Sequence, residues 1–124
     1  MATTIGKAEL KSVPAKTEDG KPIKTEDGKP VYKWTICVTV TNDGDEDETG
    51  TVELGVIWRT PPGQPNRYDQ ICKRKVTVPK KRVIRRRGAE AESPGTIEVC
   101  CDVSSQAAAD TKNFGGEPSG YFSR

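Results

Sequence analysis

Four cysteines, Cys37, Cys72, Cys100 and Cys101, are the residues best equipped for chemistry, and their surroundings restrict what they can do. They show no C-x-x-C spacing and the chain has no histidine, so a zinc centre has too few ligands of the right kind. Without histidine, Ser-His-Asp, Cys-His and H-E-x-x-H sites are also closed. The chain therefore reads as a non-enzyme with no cofactor, no metal and no catalytic residue. Alternation decides which thiols can meet. Cys37 shares a face with Thr35 and Thr39, and Cys100 shares one with Glu98 and Asp102. Cys101, and Cys72 through its alternation with Tyr68, Val76 and Val78, point inward. A Cys72–Cys101 bridge is thus open, and one from Cys37 across the core is disfavoured. Reduced, buried thiols are the expectation for a chain that is not exported.

Two charge clusters come next. Asp43, Asp45, Glu46, Asp47 and Glu48 crowd one turn. Their D-x-D-x-D spacing is that of a calcium loop, but Glu48 stands where such a loop needs glycine and Leu54 where it needs a bidentate glutamate. A solvated acidic turn is expected. The segment Lys73 to Arg87 carries nine cations: Lys73, Arg74, Lys75, Lys80, Lys81, Arg82, Arg85, Arg86 and Arg87. It lacks aromatics that would stack on bases, and alternation spreads its charges over two faces, which argues for edge protection or an acidic protein partner over nucleic acid. Globally the charges nearly cancel, Lys+Arg 20 against Asp+Glu 18, so any electrostatic role is local. The acidic turn of one copy and the basic segment of another are a head-to-tail match.

These groups must be held by strands, because period-two alternation dominates. Trp34, Ile36, Val38 and Val40 alternate with Thr35, Cys37 and Thr39. Val52 to Trp58 and Ile97 to Val103 repeat the pattern. Weaker strands are predicted over Ile5 to Val13, Tyr68 to Val78 and Lys81 to Arg87, the last as a charged sheet edge. Turn residues at Asn42-Asp43-Gly44, Pro61-Pro62-Gly63 and Ser93-Pro94-Gly95 separate the runs. The pattern predicts one all-β domain over residues 1–104, an immunoglobulin-like antiparallel β-sandwich of about seven strands. Ser105 to Asp110 is the only helix-compatible stretch and is too short to matter alone.

Two appendages are expected on this sandwich. Lys16 to Pro22, KTEDGKP, recurs unchanged at Lys24 to Pro30, so residues 16–31 form a duplicated arm with a turn at each Asp-Gly. Residues 105–124 are small and polar and predict an extended C-terminal tail. Its aromatics, Phe114, Tyr121 and Phe122, are suited to anchoring a partner.

From Val38 to Val103 the chain resembles the bacterial cell-adhesion-related domain (CARDB). The likeness lies in Val38-Thr39-Val40-Thr41-Asn42-Asp43-Gly44, the following strand to Trp58, and Pro94-Gly95-Thr96-Ile97-Glu98-Val99 with Asp102. It implies a seven-strand sandwich acting as an adhesive or spacing module. The long acidic turn, the basic segment and the cysteines depart from that family. The expectation is a structural subunit that binds protein, either a multi-subunit assembly or copies of itself, as a virion decoration protein or a filament layer does. Met1 to Leu10 lacks the apolar core of a signal peptide, and no window is long enough to insert in a membrane. That points to synthesis in the cytoplasm and incorporation into an assembly, with a secreted adhesion or carbohydrate-binding module as the alternative.

Overall fold

The computed structural model describes residues 3–124. The chain is an all-β antiparallel sandwich of two sheets, each built around one long central strand. In the first sheet the centre is β3 (Tyr32–Asn42), eleven residues rich in Thr, Val and Ile. On one edge β1 (Thr3–Ile5) meets Val40 to Asn42 and β2 (Glu9–Pro14) meets Tyr32 to Cys37. The other edge carries β8 (Gly95–Val103), paired from Trp34 through Asn42. The weak strand predicted over Ile5 to Val13 is thus one strand broken at Gly6 to Ala8. There Gly6 N donates to Thr39 O (2.9 Å) and Ala8 turns into the core.

The second sheet is centred on β4 (Glu48–Trp58), flanked by β5 (Arg67–Val78) and β9 (Glu117–Ser123). Between β5 and β8 lies a separate hairpin, β6 (Arg82–Arg86) with β7 (Ala89–Ser93). Among the described residues this makes nine strands rather than about seven. Ile36, Val38, Val40, Val52, Leu54, Val78 and Val99 from the two facing sheets form the apolar core. Beside them Asn42 is fully buried, and its amide knots the acidic turn: Nδ2 donates to Glu46 O (2.8 Å) and Val78 O (3.2 Å), while Oδ1 accepts from Gly44 N (2.8 Å).

Residues 105–124 depart furthest from expectation. They are no extended tail: α1 (Ser105–Asn113) packs Ala108 and Thr111 inward, and β9 completes the second sheet. Ser104 starts the helix by accepting Ala107 N on its Oγ (3.1 Å). Gly120 lets β9 close over the core, since a Cβ there would sit 3.1 Å from Val38 and 3.3 Å from Ile5. Low apolar content misled the reading because β9 is seated by glycine and backbone pairing as much as by side chains.

Both cysteine pairs are bridged. Cys72–Cys101 ties β5 to β8 and so joins the two sheets across the core, with Cα atoms 6.5 Å apart. Cys37 and Cys100 face each other directly in the β3–β8 register, Cα atoms 4.1 Å apart, and bridge on the outer face of one sheet. The expectation of reduced thiols is overturned. Facing disfavours a bridge from Cys37 across the core, and the same facing puts it beside Cys100.

The duplicated arm is a small closed figure. Ala15, Ile23 and Val31, eight residues apart, form a ring of backbone bonds: Ala15 N to Val31 O (2.8 Å), Ile23 N to Ala15 O (3.0 Å) and Val31 N to Ile23 O (3.0 Å). The two KTEDGK lobes leave this ring with matching internal bonds, Thr17 N to Lys21 O and Thr25 N to Lys29 O, both 2.8 Å.

Candidate functional site

The acidic turn and the basic segment meet within one molecule, at the pole where β5 ends. Lys81 Nζ lies 3.3 Å from both Asp45 and Glu92, and these carboxylates, Asp45 first, raise its pKa. Lys80 N donates to Asp47 Oδ1 (2.9 Å), and Arg124 pairs with Glu48 (3.2 Å), which also accepts from Thr3. The turn's carboxylates are thus largely answered by the chain's own donors, and the head-to-tail match of acidic turn with basic segment is replaced by an internal clamp. Asp43 and Glu46 are left at its surface.

Arg82, Arg85, Arg86 and Arg87 stand on the hairpin, where β6 has a single partner strand and so is the edge expected of it, though of a separate two-stranded sheet rather than of the sandwich. All ten residues of β6 and β7 are exposed. Register sorts their charges. One face carries Arg82, Ile84 and Arg86 opposite Ser93, Ala91 and Ala89. The other carries Val83 and Arg85 opposite Glu92 and Glu90, with Arg85 3.9 Å from Glu90. One face is neutralised and the other is basic with no acid on it. At the tip Arg87 (φ 49°) and Gly88 (φ 78°) are both left-handed, as a two-residue hairpin turn requires.

The three aromatic anchors part company. Phe114 is 74% exposed and Tyr121 64% exposed, but Phe122 packs against the core and cannot serve an outside partner. Tyr121 lies on the outer face of the second sheet beside Glu53. On that face too, not inward as alternation from Val76 suggested, is Tyr68. The register of β5 against β4 shifts at Leu54/Gly55, where Ile71 is the extra residue, and this reverses the facing upstream. The Tyr68 ring occupies the space a Gly55 side chain would take, and its hydroxyl donates to Glu53 Oε2 (2.7 Å). Burial, followed by the hydrogen bond and charge of Glu53, pushes the Tyr68 pKa from 10.0 up to about 12. The native state then holds this proton more tightly than the unfolded chain. Its contribution to stability is complete below about pH 10 and is lost as pH rises through about 12. Ultraviolet titration of the phenols should show a late ionisation in this range that Glu53→Gln moves to lower pH.

Sequence reasoning missed a cleft at the other pole. It has a volume of about 510 Å³ and lies between α1 and the Trp58 end of β4 and β5. Val56, Ile71 and Ala107 floor it, and Trp58 and Phe114 wall it. Trp58 is fixed: Nε1 donates to Asp69 Oδ2 (3.0 Å), and the Arg67 guanidinium sits 5.1 Å from its ring centroid. Gly116 crosses close to it, where a Cβ would lie 2.7 Å from Val56 and 3.1 Å from the indole. The only sequence signal was Trp58 at a strand end followed by Arg59 and a Pro-Pro-Gly loop, a pattern that reads equally as core.

As a potential metal group, Cys37, Cys100 and Glu98 cluster closely, but both sulfurs are spent in the bridge. No helix among the described residues is long and apolar enough to cross a membrane.

Fold and surface together define an antiparallel β-sandwich with a projecting basic hairpin. No family model, curated protein or solved structure matches the chain, so the resemblance of Val38 to Val103 to the cell-adhesion-related domain rests on its short motifs alone.

Proposed function

We propose that this chain is a non-catalytic protein-interaction module, a structural subunit of a larger assembly, that docks through its β6–β7 hairpin onto an acidic partner surface. One observation carries the reading: a fully exposed hairpin presents Arg82, Ile84 and Arg86 on a face with no acid of its own. Burying such a face against carboxylates pairs its charges and covers an apolar residue at once. The internal clamp at Lys81 supports it by fixing the hairpin's base, so that docking need not first order it.

A secreted adhesion module is the second reading. The two bridges favour it, because disulfides persist in oxidising settings. The two readings share the docking hairpin and differ in compartment.

Binding to immobilised poly-L-glutamate and to duplex DNA, each over a salt series, tests the proposal. Capture by polyglutamate is expected, weakened about tenfold or more by Arg82→Glu with Arg86→Glu, a loss of roughly 1.4 kcal/mol. Capture that ignores these changes would overturn the docking face. DNA binding that survives moderate salt and depends on the same arginines would replace a protein partner with nucleic acid.

A further inference from the structure

The hairpin and the Trp58 cleft lie at opposite ends of β5, whose twelve residues run from Arg67 and Asp69 in the cleft to Val78 beside the hairpin. At ~3.3 Å per residue that separation is roughly 35 Å. The hairpin strands are five residues long and exposed throughout, so they are not laid back along the sandwich.

Polar groups around the cleft define what it can accept. Arg59 is paired with Glu117 (2.8 Å) and Arg67 with Asp69 (3.2 Å). Thr60 Oγ1 donates to Pro65 O (2.8 Å) and Thr111 Oγ1 to Ala107 O (2.7 Å). Carboxylate capacity is left over. Asp69 receives both its bonds on Oδ2, and Asp110 accepts only Gln106 Nε2, on Oδ1 (2.9 Å), among the described residues. The lining holds two acids and two arginines; Arg67 pairs with Asp69 and Arg59 with Glu117 beside the cleft, which leaves Asp110 as the lining carboxylate with no cation paired to it among the described residues. An apolar floor, an exposed Phe114 ring and spare carboxylate oxygens suit a side chain that brings an alkyl stem and a positive head, an arginine or a lysine.

We infer that the cleft receives the Arg86–Arg87 hairpin tip of a second copy, joining molecules head to tail. This rests on the reading of the hairpin as a docking arm and names its partner. The tip itself supports the match. Arg87 holds a left-handed position that asparagine or glycine fills more easily, and with Arg86 it puts two adjacent cations at the tip. Because tip and cleft sit at opposite poles, a molecule cannot fill its own cleft. Each contact leaves one tip and one cleft open, and the contact repeats until it closes a ring or extends a filament.

Sedimentation velocity from micromolar to millimolar concentration tests this. Wild type should associate progressively. Arg87→Asn, which suits the turn better, should keep or raise the melting temperature yet weaken association about tenfold or more. A hairpin variant, Arg86→Glu with Arg87→Glu, and a cleft variant, Asp110→Asn with Phe114→Ala, should each stay monomeric, while their mixture forms a dimer and nothing larger. Monomeric wild type, a cleft variant that associates like wild type, or a mixture that remains monomeric would overturn the inference. If wild type is monomeric but still binds polyglutamate through Arg82 and Arg86, the docking arm stands and only the choice of partner falls.

Discussion

Replacing Cys72 and Cys101 together by serine is expected to cost about 3–4 kcal/mol of stability, from the chain entropy of a loop whose ends are 29 residues apart. For a domain of this size that lowers the melting temperature by roughly 10–20 °C. The effect is large because this bridge joins one sheet to the other across a lean core, and because Arg74 Nε donates to Cys101 Sγ (3.2 Å) at the same place. Differential scanning calorimetry of the double variant checks it. A change under about 1 kcal/mol would mean that the pair contributes little to holding the sheets together. Thiol titration of the denatured, unreduced protein should find no reactive cysteine, and titration after reduction should find all four.

Gly95→Ala is expected to be as damaging, at about 3 kcal/mol or more. A Cβ at Gly95 would overlap the Pro79 carbonyl oxygen and lie 2.6 Å from its carbon and 2.8 Å from Lys80 O. All three are backbone atoms, so no rotamer change relieves the overlap, and β8 must move off the chain that enters the hairpin. Lys81 N, which donates to Gly44 O (3.1 Å) next door, would move with it. Denaturant unfolding measures the loss. A midpoint within error of wild type would show that the approach of Gly95 to Pro79 is not needed.

The central strands were legible because they are long, β-branched and one-sided. Ile36, Val38 and Val40, then Val52 and Leu54, are fully buried or nearly so, as alternation places them. Where alternation failed, a local event had reset it. The extra residue Ile71 reversed the facing of Tyr68 and Asp69, and so hid both the outward placement of the Tyr68 ring and the presence of Asp69 in the cleft. Other misses share a cause: the relevant groups are far apart in sequence and are gathered by elements with weak signals. The cleft needs Trp58, Asp69, Asp110 and Phe114, brought together by a nine-residue helix without a strong apolar face. Residues 81–87 showed charge but not the partner strand Ala89 to Ser93, whose five residues are all exposed and include no β-branched side chain.

The ring formed by Ala15, Ile23 and Val31 bears on how the chain can vary over generations. Each eight-residue unit brings its own turn, its own internal bonds and a residue that closes onto the ring. Loss of residues 16–23 by slippage during replication would join Ala15 to Lys24 and leave an intact lobe facing β2 and β3, with the pairing of Glu9 to Pro14 undisturbed. Unit number in this arm is therefore open to change by a single genetic event at little cost to the sandwich, which makes it the part of the molecule where related chains should differ most in length.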